Sequence, residues 1–170
     1  MEKALKVLNG LERKGVIERY AIGGSIAVLF YAEPVLTYDL DVFVFLPETQ
    51  SGLLSLSPLY EFLREKGYNP KREHVVIEGV PVQFIPAYND LVEEAVAEAR
   101  ETKLGRTRTR VIRVEHLLAI LLQTGRPKDY ARMVHLLDES KIDRADLSDI
   151  LGRHGLRGKW SEFRRRFHGT

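Results

Sequence analysis

Asp39 and Asp41 head an apolar run, residues 40–46, whose β-branched and aromatic side chains read as a buried strand. Alternate residues of a strand share a face, so both carboxylates project to one place. Two such charges repel unless a shared proton or a cation lies between them. Beside phosphates that cation is ordinarily Mg²⁺, with Mn²⁺ as the alternative. Upstream, Gly23 and Gly24 form a turn between a short strand over residues 20–22 and a short helix over 25–31 that Pro34 ends. Backbone N–H groups at that turn, free of side-chain bulk, approach an anion closely, and Ser25 adds a hydroxyl as N-cap or phosphate ligand. Each feature alone is commonplace, a capped turn and a strand end. Together they read as a phosphate site facing a metal site.

Cationic side chains form a second set. Arg126 and Lys128 flank Pro127 at a helix start, where the positive helix end disfavours cations unless an anion is near, and both read as triphosphate contacts. Asp129 in the same turn is favoured by the helix dipole and reads as a helix-start residue paired with a basic neighbour rather than as a catalytic base. Arg106, Arg108 and Arg110 alternate with threonine, so an extended backbone lines three guanidinium groups along one face, suited to polyphosphate or RNA. The other reading of that stripe is an edge strand guarded by charge. Trp160, Phe163 and Phe167 have helical spacing that docks them on the core, leaving residues 164–166, all arginine, as solvated surface or as a basic rim for an RNA acceptor. The five histidines show no ligand spacing with acids, so neither a zinc site nor a Ser-His-Asp triad is assigned.

The elements that must position these groups follow from periodicity and turn chemistry. Helices are expected over residues 2–14, 58–66, 90–100 with Asn89 as cap, and 115–123 as a buried helix stopped by Gly125. Glu78-Gly79 between apolar runs at 73–77 and 80–85 is a hairpin signal. The expectation is an α+β fold, a small mixed β-sheet with helices packed on it, followed by a mainly helical C-terminal part from about Val114. The chain divides into a core, residues 1–100, and a basic C-terminal part, residues 101–170, packed as one compact unit.

Gly23-Gly24-Ser25, thirteen intervening residues, then Asp39-Leu40-Asp41 and an apolar strand together resemble the signature of the nucleotidyltransferase superfamily built on the polymerase-beta fold. Residues 79–86 and 125–129 support the resemblance, which covers roughly residues 20–135. It is similar above all to the small prokaryotic group related to the nucleotidyltransferase toxins of abortive-infection and toxin–antitoxin systems. The resemblance implies transfer of a nucleoside monophosphate from a nucleoside triphosphate, with Asp39 and Asp41 on Mg²⁺ and Gly23, Gly24, Ser25, Arg126 and Lys128 on phosphates. It also implies an acceptor such as RNA, tRNA or protein, and a cognate antitoxin as partner. Two departures bear on activity. The position of the family's third carboxylate is Gln83, and a lysine usual one turn before the Arg-x-Lys-Asp segment is replaced by Leu121 and Leu122. A catalytically silent module that binds nucleotide, RNA or a partner protein is therefore the alternative. A small-molecule adenylyltransferase is a third, and the basic C-terminal half argues against the acidic pocket that an aminoglycoside acceptor would need.

The chain has 170 residues, 44% of them hydrophobic, ample for one core. It lacks cysteine, which excludes disulfides and thiolate metal sites. No run approaches the roughly 20 apolar residues of a membrane span, and the N-terminus lacks a signal-peptide core, so a soluble cytoplasmic protein is expected. The net charge of +2 conceals a net −5 over residues 1–100 and +7 over 101–170. That asymmetry turns the C-terminal part toward phosphate or is simply solvated surface.

Overall fold

The computed structural model describes residues 1–33, 39–48 and 54–168. Its centre is strand β2 (Leu40–Phe45), in which Leu40, Val42 and Val44 are fully buried. Strand β1 (Arg19–Ile22) pairs antiparallel on one side of it, and β5 (Val80–Pro86) pairs parallel on the other. Beyond β5 come β4 (His74–Ile77) and the two-residue β3 (Pro70–Lys71), both antiparallel additions. Beyond β1 come β7 (Thr107–Val111), parallel to it, and β6 (Arg100–Leu104), antiparallel to β7. The described residues thus form a seven-stranded mixed sheet in the order β3-β4-β5-β2-β1-β7-β6. This is the α+β architecture expected from the sequence.

The β4–β5 hairpin turns at Glu78 and Gly79, both with positive φ (51° and 81°), the type I′ pattern that matches strand twist. Helices α1 (Glu2–Arg13) and α2 (Gly24–Val28) bracket β1, and α3 (Ser57–Glu65) starts with Pro58 in its first turn. Helix α4 (Asp90–Ala97) is capped by the Asn89 side chain, which accepts from the Val92 N–H at 2.9 Å. Helix α5 (Val114–Thr124) is buried from Val114 through Leu122 and ends at Gly125 in the left-handed region. Helices α6 (Pro127–Glu139), α7 (Arg144–Arg153) and α8 (Arg157–Phe163) follow, and a π-helical turn, Arg164–His168, closes the described chain. The tail docks by its aromatics: Phe163 is buried, and Tyr130 of α6 lies 5.7 Å from Phe163 and 5.2 Å from Phe167 between ring centroids.

Two boundaries differ from expectation. Helix α2 stops at Val28 and continues as tight turns in which Leu29, Phe30 and Tyr31 donate to carbonyls three residues back. Pro34, expected to end it, lies outside the described residues. Helix α4 ends at Ala97 because Arg100 already belongs to β6. The hairpin β6–β7 closes the sheet, and the helical part begins at Val114, as expected.

An ionic network ties α4 to α5 and α7. The Glu94 carboxylate accepts from Arg153 Nη2 at 2.6 Å, and His116 and His154 place Nε2 at 3.0 and 2.8 Å from it. Glu94, Glu98 and His116 each bring a ligand atom within 4.8 Å of the others, but Arg153 on Glu94 and Arg113 on Glu98 already supply the countercharge. Burial pushes the Glu94 carboxyl up, yet the hydrogen bonds from Arg153, His116 and His154 outweigh it and hold it at about 2, against an ordinary 4.5. A depressed folded pKa contributes stability above the unfolded value and loses it as pH falls through the folded one. Glu94→Gln is therefore expected to lower stability at neutral pH and to flatten the acid limb between 4.5 and about 2. Urea denaturation across that range checks this, and matching acid limbs for both proteins would count against it.

Candidate active site

The two aspartates sit where β2 begins. Antiparallel pairing carries the β1 chain up to this point, where the Gly23 N–H donates to the Asp41 carbonyl at 2.9 Å. Gly24 follows with φ +55°, and a Cβ built on it would lie 1.8 Å from Asp41 Oδ2. The Asp41 carboxylate therefore occupies the space that any other side chain at position 24 would fill. A Cβ at Gly23 would strike the Phe43 ring at 2.3 Å, so the second glycine serves the same close passage. Ser25 is buried in the first turn of α2. The N-cap is Gly23, and no side chain caps the helix, which corrects the capping role expected for Ser25.

Register places the next groups. Asp41 is opposite Gln83 in the parallel β2–β5 pair, and β4 pairs Val75 with Val82, so His74 follows opposite Gln83. Asp41, Gln83 and His74 form one row across three strands, on one face of the sheet. His74 Nε2 lies 3.9 Å from Asp39 Oδ2, an electrostatic contact too long for a hydrogen bond.

Opposite this row stands the start of α6. Asp129 is fully buried, and its carboxylate accepts from Arg126 Nε at 2.7 Å, Arg126 Nη2 at 3.2 Å, the Arg126 backbone N–H at 3.2 Å and Arg132 Nη1 at 3.4 Å. A buried carboxylate needs such partners, and here they are the two guanidinium groups that it orients. The pairing of Asp129 with a basic neighbour at the helix start is the one read from the sequence.

These elements enclose a cavity of about 520 Å³ lined by Asp39, Asp41, Gln83 and Ser25 on the sheet side and by Arg126, Lys128 and Arg132 from α6. Glu73 and His74 complete the wall beside Asp39. Burial pushes the Asp41 carboxyl above its ordinary 3.8; Arg132 opposes the shift, Asp39 reinforces it, and His74 and Lys128 oppose it. A buried carboxylate crowded by a second one is a site that gains from a cation, and the pair suits a hard divalent ion that also holds phosphate oxygens.

Glu73, His74 and Arg132 were not read from the sequence as site residues. Arg132 was accessible as the residue three beyond Asp129 on the same helix face. His74 was accessible through the hairpin register. Leu121 and Leu122, at the position of the missing lysine, are buried in α5, so the cavity's cations come from α6. Arg106, Arg108 and Arg110 do not line this cavity. Arg106 precedes β7, leaving Arg108 and Arg110 on the strand's outer face. Arg110 is held bidentate by Glu12 of α1 at 2.9 and 3.0 Å, and the Arg106 N–H donates to Glu2. Of the three guanidinium groups Arg110's is thus neutralised, and the strand that bears it is braced against α1.

Residues 1–145 match a family described as nucleotidyl transferase of unknown function, DUF2204. The chain belongs to this family. The match supports the nucleotidyltransferase resemblance and does not extend to the toxin–antitoxin grouping. No curated protein matches this chain in sequence. Its fold is similar to the crystal structure of an antigenic nucleotidyltransferase-like protein from Paracoccidioides brasiliensis. That likeness has 14% identity, covers 98% of this chain and 97% of that one, and has a TM-score of 0.51. Two structures of the antibiotic-resistance factor ANT(2'')-Ia are also similar, each at 16% identity and a TM-score of 0.49. The solution structure covers 96% of this chain and 94% of that one; the crystal structure, in complex with adenylyl-2''-tobramycin, covers 95% of each.

Two stability measurements probe this geometry. Asp41 has a raised folded pKa, so its ionisation in the metal-free protein opposes folding above that value and has no effect well below 3.8. With chelator present, Asp41→Asn is expected to be more stable than the parent at neutral pH and equal to it in acid. Gly24→Ala should cost about 1–2 kcal/mol for the left-handed backbone alone. Displacement of the Asp41 carboxylate adds to that, so denaturant unfolding that shows no loss would contradict the close approach.

Proposed function

We propose that this nucleotidyltransferase joins a nucleoside monophosphate from a nucleoside triphosphate to an acceptor hydroxyl, with the reaction centred on Asp39 and Asp41. The observation that carries the reading is the cavity itself, in which Asp39 and Asp41, with Glu73 beside them, share a space of about 520 Å³ with three cations. Asp39 and Asp41 would hold Mg²⁺, with Mn²⁺ as the alternative, and the ion would neutralise triphosphate charge and polarise the α-phosphorus. Arg126, Lys128 and Arg132 meet the β- and γ-phosphates, and the buried Asp129 keeps both arginines aimed at them. The Gly23-Gly24 backbone and the Ser25 hydroxyl border the departing phosphates. The acceptor oxygen forms its bond to the α-phosphorus as the bond to the bridging oxygen breaks and pyrophosphate leaves. Positioning and charge neutralisation supply the rate, and no covalent enzyme intermediate is required.

Gln83 favours a second reading. It lies opposite Asp41 at the position the resemblance assigns to a third carboxylate, and its amide can bind a metal or a hydroxyl but brings no charge. A chain that keeps the triphosphate pocket without the chemistry would be a nucleotide-binding module. The two readings separate in a label-transfer assay. Each of four α-³²P nucleoside triphosphates is incubated with Mg²⁺, total RNA and protein, beside Asp39→Ala/Asp41→Ala. Label that enters one pool and is lost in the double variant supports the transferase and identifies RNA or protein as acceptor. Mg²⁺-strengthened triphosphate binding without transfer supports the module, and binding indifferent to both Mg²⁺ and Asp41→Asn would sink the metal assignment.

A further inference from the structure

A second cavity, about 460 Å³, lies between the C-terminal end of α6 and helices α7 and α8. Arg144, Arg157 and Arg164 converge on it with Trp160, and Leu147 and Leu151 supply apolar wall. Serine hydroxyls complete the lining, and no acidic side chain is part of it. Among the described residues none of the three guanidinium groups forms an ion pair or a side-chain hydrogen bond, and Arg164 Nε is buried without a partner. Arg144 and Arg157 are exposed and Arg164 is half-buried; the other half-buried arginines of the described fold all have partners, Arg110 with Glu12, Arg113 with Asp146, Arg132 with Asp129, and Arg19 with the Val96 and Ala97 carbonyls. Arg157 is held by packing instead. Its guanidinium lies over Gly152, where a Cβ would come within 2.7 Å of Nη2 and 3.0 Å of Cζ and Nε. Trp160 stacks on Phe163, 5.7 Å between centroids, which fixes the indole at the cavity.

Half-buried Arg164 has no counterion, and a burial that leaves its Nε–H unsatisfied costs free energy. An anion with several acceptor oxygens relieves both, and arginine forks match phosphate. The indole adds a surface for a flat ring. We infer that this cavity binds a nucleotide unit, a phosphate beside an aromatic base, at a site separate from the Asp39–Asp41 cavity. Helix α6 connects the two, with Arg126 at its start, Arg132 midway and Leu137 near its far end, about 16 Å from Arg126 for eleven residues. One mononucleotide does not span that distance, whereas a single strand running along α6 does. The ligand is a nucleotide unit of single-stranded RNA, and a free nucleotide is the other source of the same chemistry. The inference does not rest on catalysis at the first cavity.

Trp160 is the only tryptophan of the chain, so its fluorescence reports this site alone. The full-length protein is titrated with a short single-stranded RNA of mixed sequence and, separately, with AMP, in chelator to keep the metal-dependent site silent. Saturable quenching by RNA, at least roughly tenfold tighter than by AMP and weakened by salt, is the expected result and identifies the strand. Equal affinities would uphold the nucleotide site and assign it to the free nucleotide. Arg157→Ala/Arg164→Ala should weaken binding by about tenfold or more. Arg144→Glu, at an exposed position that folding tolerates, should do the same, while Asp39→Ala/Asp41→Ala should leave it unchanged. Absence of quenching by either ligand, or undiminished affinity in the folded Arg144→Glu protein, overturns the assignment.

Discussion

The space beside Gly24 is filled by the Asp41 carboxylate, and much of the molecule is arranged so that this can happen. The carboxylate belongs to the central strand, whose register is set on one side by β1 and on the other by β5. Because side chains alternate with a period of two, a slip of one residue in either pairing would turn Asp41 into the core and Val42 into the cavity. The apolar residues of β2 therefore protect the site as well as the fold. Leu40, Val42 and Val44 are fully buried, and exposing them would cost far more than the carboxylate gains by moving. The site is precise because hydrophobic burial fixes the position of a charge.

Around that charge the protein builds layers of compensation. Asp41 is disfavoured as an anion by burial and by Asp39, and Arg132 and Lys128 return part of the loss. Lys128 is itself repelled by the positive end of α6, and Asp129 at the third helical position offsets this. Asp129 is wholly buried, so it is tolerated only because Arg126 and Arg132 donate to it. Each group in the sequence Asp41, Arg132, Asp129, Arg126 is acceptable because of its neighbours. The Glu94 network between α4, α5 and α7 is compensated in the same manner, with Arg153, His116 and His154 on one carboxylate.

What the sequence disclosed followed from local rules. The β-branched run after Asp39, the Glu78-Gly79 turn, the Asn89 cap and the Gly125-Arg126-Pro127 break each act over a few residues, and each appears in the fold as read. Asp39, Asp41, Ser25, Gln83, Arg126 and Lys128 do line one cavity, because the motifs that suggested them are tied to strand and helix starts. What stayed hidden depended on distant pairing. His74 enters the site through the register of β4 on β5, and Glu73 through the turn before it. Strand β6 has the sequence Arg-Glu-Thr-Lys-Leu, with no apolar alternation to announce it, since an edge strand is charged where a central one is greasy. Arg110 read as a free cation because Glu12, which neutralises it, lies 98 residues away.

That last pairing has a bearing on the order in which the chain can assemble during its synthesis. Helix α1 is made before the strands that hold it, yet Asn9 donates to the Arg108 carbonyl, Glu12 clasps Arg110, and Glu2 accepts from Arg106 and Thr107. Strand β1 likewise waits for β7 on one side, with Ile22 opposite Val111. The buried face of α1, Ala4, Leu5, Leu8 and Leu11, must therefore outlast the emergence of about a hundred residues before its final contacts exist. Helix α1 is made before β6 and β7 and locked only by them, so the last strands of the sheet act as the clasp that commits the nascent chain to its fold.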